Sequence, residues 1–117
     1  MEAVKLTWSY NEFKAYLLLF AAESNQVITE EEIDFIETQF DAVLIKTVQK
    51  EINKDNDFQR IQKIMAYIEQ NNLSKKDLDG LLKEIHTVYQ SDGTFDSVEQ
   101  GVFQFLEKLF KMQNLRD

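Results

Sequence analysis

Residues 20–36 read FAAESNQVITEEEIDFI, and residues 87–103 read TVYQSDGTFDSVEQGVF. Laid over one another, Ser24 falls on Ser91, Asn25 on Asp92, Gln26 on Gly93, Ile28 on Phe95, Thr29 on Asp96 and Glu32 on Glu99. The offset is constant, because 91 minus 24 and 99 minus 32 both give 67. Each copy reads as a helix end, a small polar turn, an apolar anchor, a cap residue and a glutamate three residues further on. That last spacing is the capping box, in which the cap side chain and the glutamate each take one free backbone amide. Two related helical units around a shared core account for the pattern.

Working outward, the rest of the chain also reads as helices. Ser9 and Glu12 have capping-box spacing, and Phe13, Tyr16, Leu17, Leu18, Leu19 and Phe20 make a stripe wide enough for a helix central to the core. Thr29 and Glu32 open a second helix with Ile33, Ile36 and Phe40 inward. A joint at Phe40–Asp41 leads to a third, with Ala42, Ile45, Val48 and Ile52; a single bent helix from Ile33 to Ile52 is the alternative. Asn53 to Asp57 reads as a loop. The fourth helix, from about Asp57 to Gln70, turns Phe58, Ile61, Ile64, Met65 and Ile68 inward. Ser74 and Asp77 cap a fifth lined by Leu78, Leu81, Leu82, Ile85, Val88 and Tyr89, in which Gly80 suggests room for a close neighbour. Asp96 and Glu99 open a sixth with Val98, Val102, Phe105, Leu106, Leu109 and Met112. The expected fold is therefore all-α: one domain, residues 1–117, a bundle of about six helices in two related halves with short loops.

Composition agrees and excludes several functions. With no proline and three glycines among 117 residues, the chain suits regular helices and is a poor match for a linker or a disordered tail. Acidic residues number 21 against 13 basic, a formal net charge of -8 that repels phosphate backbones, so nucleic acid is not an expected partner. The absence of cysteine removes disulfides, thiolate metal sites and cysteine nucleophiles, and fits a cytoplasmic protein. The longest apolar run, Ala15–Ala22, is eight residues, against about 20 for a membrane span, so no transmembrane segment is expected.

The repeated junctions admit two readings. In the structural one, Asn25 and Asp92–Gly93 make tight turns, Ile28 and Phe95 anchor them, and Glu32 and Glu99 are capping residues. In the chemical one they bind a divalent cation. Asp92, Gly93 and Glu99 match the end of a calcium loop, but the first and third ligand positions hold Val88 and Gln90. The earlier copy has Ala21 at the first position and Gln26 in place of the glycine, so neither is an EF-hand. If the junctions meet, Asp92, Asp96 and Glu99 with Asn25, Glu30 and Glu32 make a shared oxygen-rich site suited to calcium, magnesium or manganese.

LLLFAAESNQVITEEEIDFI (residues 17–36) and IHTVYQSDGTFDSVEQGVFQFLEKLF (residues 85–110) resemble the TerB-like family, helical domains named for a bacterial tellurite-resistance protein. The resemblance spans about residues 16–112. It implies an all-helical fold in two halves, a role in tellurite or other stress responses, partnership in stress complexes, and acidic positions that serve as metal ligands. Asp92, Gly93, Phe95 and Glu99 stand where the family pattern places such residues. Asn25 and Gln26 replace the usual Asp and Gly of the first junction.

Catalysis has little support. His86 is the single histidine and reads as a residue at the core edge, with no cysteine or grouped Ser/Asp beside it. Trp8 and Tyr10, flanking the first helix start, read as a lid on the core edge or as part of a partner surface. Phe103 and Phe110 share a helix face. If Phe105 points inward, that face is exposed and open to a homodimer or another protein. The expected function is a non-catalytic, stress-associated interaction domain that binds a protein partner, the alternative a divalent-cation-binding protein.

Overall fold

The computed structural model describes residues 8–23, 30–90 and 97–113, which form six α-helices. These are α1 (Tyr10–Glu23), α2 (Glu30–Gln39), α3 (Ala42–Lys54), α4 (Asp57–Gln70), α5 (Lys75–Gln90) and α6 (Ser97–Gln113). No strand occurs among the described residues.

α1 is the axis of the bundle. Every residue from Ala15 to Ala22 is at most 5% exposed, and Phe13 is fully buried. A helix apolar on all sides needs neighbours on all sides, and α1 packs against α2, α3, α4 and α5. Its start is the one expected. The Ser9 hydroxyl accepts from the Glu12 amide at 3.2 Å, and the Ser9 amide donates to the Glu12 carboxylate at 3.0 Å. α5 begins the same way, with Ser74 and Asp77 exchanging two bonds of 3.1 Å.

α1 and α5 lie side by side and run in the same direction. Lys14 pairs with Glu84 at 2.7 Å, and further along the Tyr89 hydroxyl donates to the Ala21 carbonyl at 2.8 Å. The Tyr89 bond gives a partner to a carbonyl of the last turn of α1, where helix carbonyls lack intrahelical partners. The helix ends keep the 67-residue offset: α1 stops at Glu23 and α5 at Gln90, while α2 starts at Glu30 and α6 at Ser97.

Several local expectations are corrected. The polar stretch 53–57 is not all loop, because α3 continues to Lys54 and Asn56 already caps α4 in a box with Gln59. Asp41 stands at the N-cap of α3, but only its backbone carbonyl acts there, accepting from Ile45. Ala42 is exposed. Phe58 is 66% exposed. The buried stripe of α4 is centred on Ile64, Tyr67 and Ile68, and Phe58 lies roughly 120° around the helix from Ile64.

In α6, Leu106 and Phe110 are buried and Phe105 is 43% exposed. Leu106 is inward as expected and Val102 and Leu109 pack on the core, but the Phe103–Phe110 face also turns to the core and Phe105 away from it. Gly80 has no close neighbour; a Cβ built there meets nothing within 4 Å.

Candidate functional site

Of the cation residues inferred from sequence, Glu30 is exposed at the start of α2, and the others lie outside the described residues or side chains. Asn25, Asp92 and Asp96 lie beyond the described residues, as do the side chains of Glu32 and Glu99. The helices that precede the two junctions, α1 and α5, are joined near their ends. Ala21 and Tyr89, each just upstream of a junction, share the 2.8 Å hydrogen bond, and neither α1 nor α5 has a basic residue in its last turn. Among the described residues no three His, Asp or Glu side chains gather in a way that would hold a metal ion.

A polar cluster that sequence reasoning missed lies where α1 meets the α3–α4 corner. Lys63 reaches Glu51 at 2.9 Å and Asp55 at 2.8 Å. The Tyr16 hydroxyl donates to the same Asp55 oxygen at 2.7 Å, and the Trp8 indole donates to Glu51 at 3.1 Å. Arg60 adds two bonds to the Ile52 carbonyl, 3.0 and 2.7 Å, placing a cation at the C-terminal end of α3 where the helix dipole favours one. Burial, then the hydrogen bond to Asp55, pushes the Tyr16 phenol well above its usual range. Burial alone would lower Lys63, but its bonds to Asp55 and Glu51 outweigh it and the net shift is upward. With an ammonium seated between its two carboxylates, the cluster is a fastening rather than a cation site.

Trp8 belongs to this fastening. Its ring lies 4.6 Å from Tyr16 and 6.3 Å from Tyr67, and Phe13 stacks on Tyr67 at 4.1 Å. Trp8 is thus a lid over the core edge. Tyr10 beside it is 42% exposed. Burial raises the Tyr10 phenol, helped by the carboxylates of Glu84 and Asp77.

The second feature is an open depression of about 500 Å³ between α5 and α6, lined by Asp79, Leu82, Lys83, His86, Thr87, Phe103 and Glu107. A smaller recess of about 70 Å³ adjoins it, sharing Asp79, Leu82 and Glu107 and adding Lys75, Leu78, Phe110 and Lys111. His86 is half-buried, as expected of a core-edge residue, and meets Phe103 edge-on at 5.8 Å between ring centres. Buried Leu82 and half-buried Phe103, set among acidic and basic residues in an open depression, suit a polypeptide surface better than a small molecule, which is usually enclosed. Phe103 is the one residue of the sequence-inferred interaction set that lines it. Phe110 reaches only the recess and is buried, and Trp8 and Tyr10 lie elsewhere.

Among the described residues no helix is long and apolar enough to cross a membrane. No protein-family model, curated protein or solved structure matches the chain.

Proposed function

We propose that the chain is a non-catalytic interaction domain that binds a protein partner through the α5–α6 depression. The observation that carries this reading is the make-up of that surface: aromatic Phe103 and aliphatic Leu82 beside acidic Asp79 and Glu107 and basic Lys83. Its association with stress, and with tellurite in particular, follows from the TerB-like resemblance of residues 17–36 and 85–110. The test compares the tagged chain with its His86→Ala, Phe103→Ala double variant, both recovered from the cells that encode them. A near-stoichiometric partner is expected on the native chain and on a Lys50→Ala control, and is lost from the double variant. Identical partners on all three, with the double variant still folded, would contradict the reading. A deletion strain that grows normally in tellurite would remove the association with that stress.

A second reading is a divalent-cation-binding protein using carboxylates of the two junctions. It is supported by the Tyr89–Ala21 hydrogen bond, which joins the ends of the two helices that precede them. Titration with calcium, magnesium or manganese would then give saturable heat, lost in an Asp92→Asn, Glu99→Gln double variant. No heat at millimolar metal would eliminate this reading.

A further inference from the structure

The outer faces of α1 and α5 correspond residue by residue under the 67-residue offset. Phe13, Tyr16 and Phe20 on α1 become Gly80, Lys83 and Thr87 on α5, and Leu19 becomes His86. The α1 residues are all at most 5% exposed, and α3 and α4 lie over the first two: Phe13 stacks on Tyr67 of α4, and Tyr16 bonds Asp55 just past the end of α3. On α5 three of these positions are open, while His86 is half-buried against Phe103. Gly80, Lys83 and Thr87 are exposed, and nothing stands within 4 Å of a Cβ at Gly80. The correspondence continues onto the second helix of each pair, where Ile36 of α2 and Phe40 just past its end become Phe103 and Glu107 of α6, both lining the depression.

We infer that the outer face of α5, with the adjoining face of α6, docks one amphipathic helix of another protein, in the place where α3 and α4 lie over α1. This rests on the reading of the chain as an interaction domain and names the class of partner. The chemistry of the position selects the occupant. α3 brings an apolar stripe, Ile45, Val48 and Ile52, followed by Asp55, which accepts from Tyr16. At the Tyr16 position α5 carries Lys83, so a helix with the same stripe and a closing carboxylate would meet a cation there, a charge-assisted bond. Gly80 stands at the Phe13 position and leaves the surface flat, so a helix backbone can come close. Asp79 and Glu107 at the rim favour basic residues on the flanks of the occupant. Polar Lys83 and Thr87, where α1 has buried aromatics, suit a face that is alternately wet and covered.

The test uses the full chain and helix-stapled peptides with the length of residues 42–55. They carry Ile, Val and Ile at the spacing of Ile45, Val48 and Ile52 and end in Asp or Lys. Binding is followed by amide NMR shifts. The Asp peptide is expected to move the resonances of Lys83, Thr87 and Phe103, and to bind at least about threefold more tightly than the Lys peptide. Lys83→Glu reverses that order, and Gly80→Gln abolishes binding in a chain that melts no lower than the native one. Peptides that leave these resonances unmoved, or bind regardless of their final charge, overturn the inference. So does a homodimer in sedimentation whose interface protects Lys83 and Thr87. If a cellular partner depends on Phe103 while no peptide binds, the helix inference fails and the interaction reading stands. If no partner depends on Phe103, both fail.

Discussion

The two parallel helices α1 and α5 hold equivalent places in their halves, yet one is buried all round and the other only along one side. Burial on α5 is confined to Leu78, Leu81, Leu82, Ile85, Val88 and Tyr89. At the matching positions α1 buries Phe13, Tyr16, Leu17, Leu19 and Phe20 where α5 has Gly80, Lys83, Glu84, His86 and Thr87, and the α3–α4 pair covers Phe13 and Tyr16. The difference teaches that the core was completed on one side only, and that completion is held by a polar fastening, Trp8–Glu51–Lys63–Asp55–Tyr16. α5 kept a soluble outer face.

The comparison is broken most severely by emptying the covered side. Phe13→Ala removes a fully buried ring stacked on Tyr67, and should cost about 3–5 kcal/mol in chemical denaturation. A cost below 1 kcal/mol would mean that α4 does not hold this face. Removing the fastening comes next. Lys63→Ala leaves Asp55, whose side chain is only 10% exposed, without its cation, and should cost about 2–4 kcal/mol. Tyr16→Phe, which keeps the ring and loses one bond, should cost less.

High pH attacks the same place. The folded values of Tyr16 and Lys63 are both raised. Stability from a raised group is fully present below its unfolded value, about 10 for both types, and is lost as pH rises toward the folded value. Denaturant midpoints should therefore hold up to about pH 10 and then fall. Tyr16 should give its phenolate absorbance only as the chain unfolds. Gradual ionisation without unfolding would show that Tyr16 is accessible.

On the open side the smallest effect has the opposite sign. Gly80→Ala meets nothing within 4 Å, so the gain in helix propensity is unopposed, and the chain should be stabilised by about 0.5–1 kcal/mol. A lower melting temperature would mean that the α5 face is not open.

What the sequence made legible was local. The Ser9–Glu12 and Ser74–Asp77 boxes, the break between α2 and α3 and the buried run of α1 each depend on neighbours within a few residues. Phase at stripe edges was less secure. Phe58 and Phe105 are apolar and near the right spacing, but the stripes are centred elsewhere because Tyr67 and Phe110 take the inward places. The fastening was illegible, since Tyr16 and Asp55 are 39 residues apart and Trp8 and Glu51 are 43. The α5–α6 surface was illegible for a related reason. Its openness depends on where α3 and α4 pack, which no spacing within α5 reveals. The junction carboxylates, Asp92 and Glu99 foremost, are conspicuous in sequence and lie outside the described side chains.

Thiol labelling distinguishes the covered face of α1 from the open face of α5. The chain has no cysteine, so Phe20→Cys, Lys83→Cys and Thr87→Cys each report a single position. Thiols at 83 and 87 should react at rates near those of an unstructured peptide under native conditions. The thiol at 20 should be slowed at least about a hundredfold, because it reacts only through opening of the fold. Equal rates at all three positions, or protection at 83 and 87 in the isolated chain, would contradict that difference.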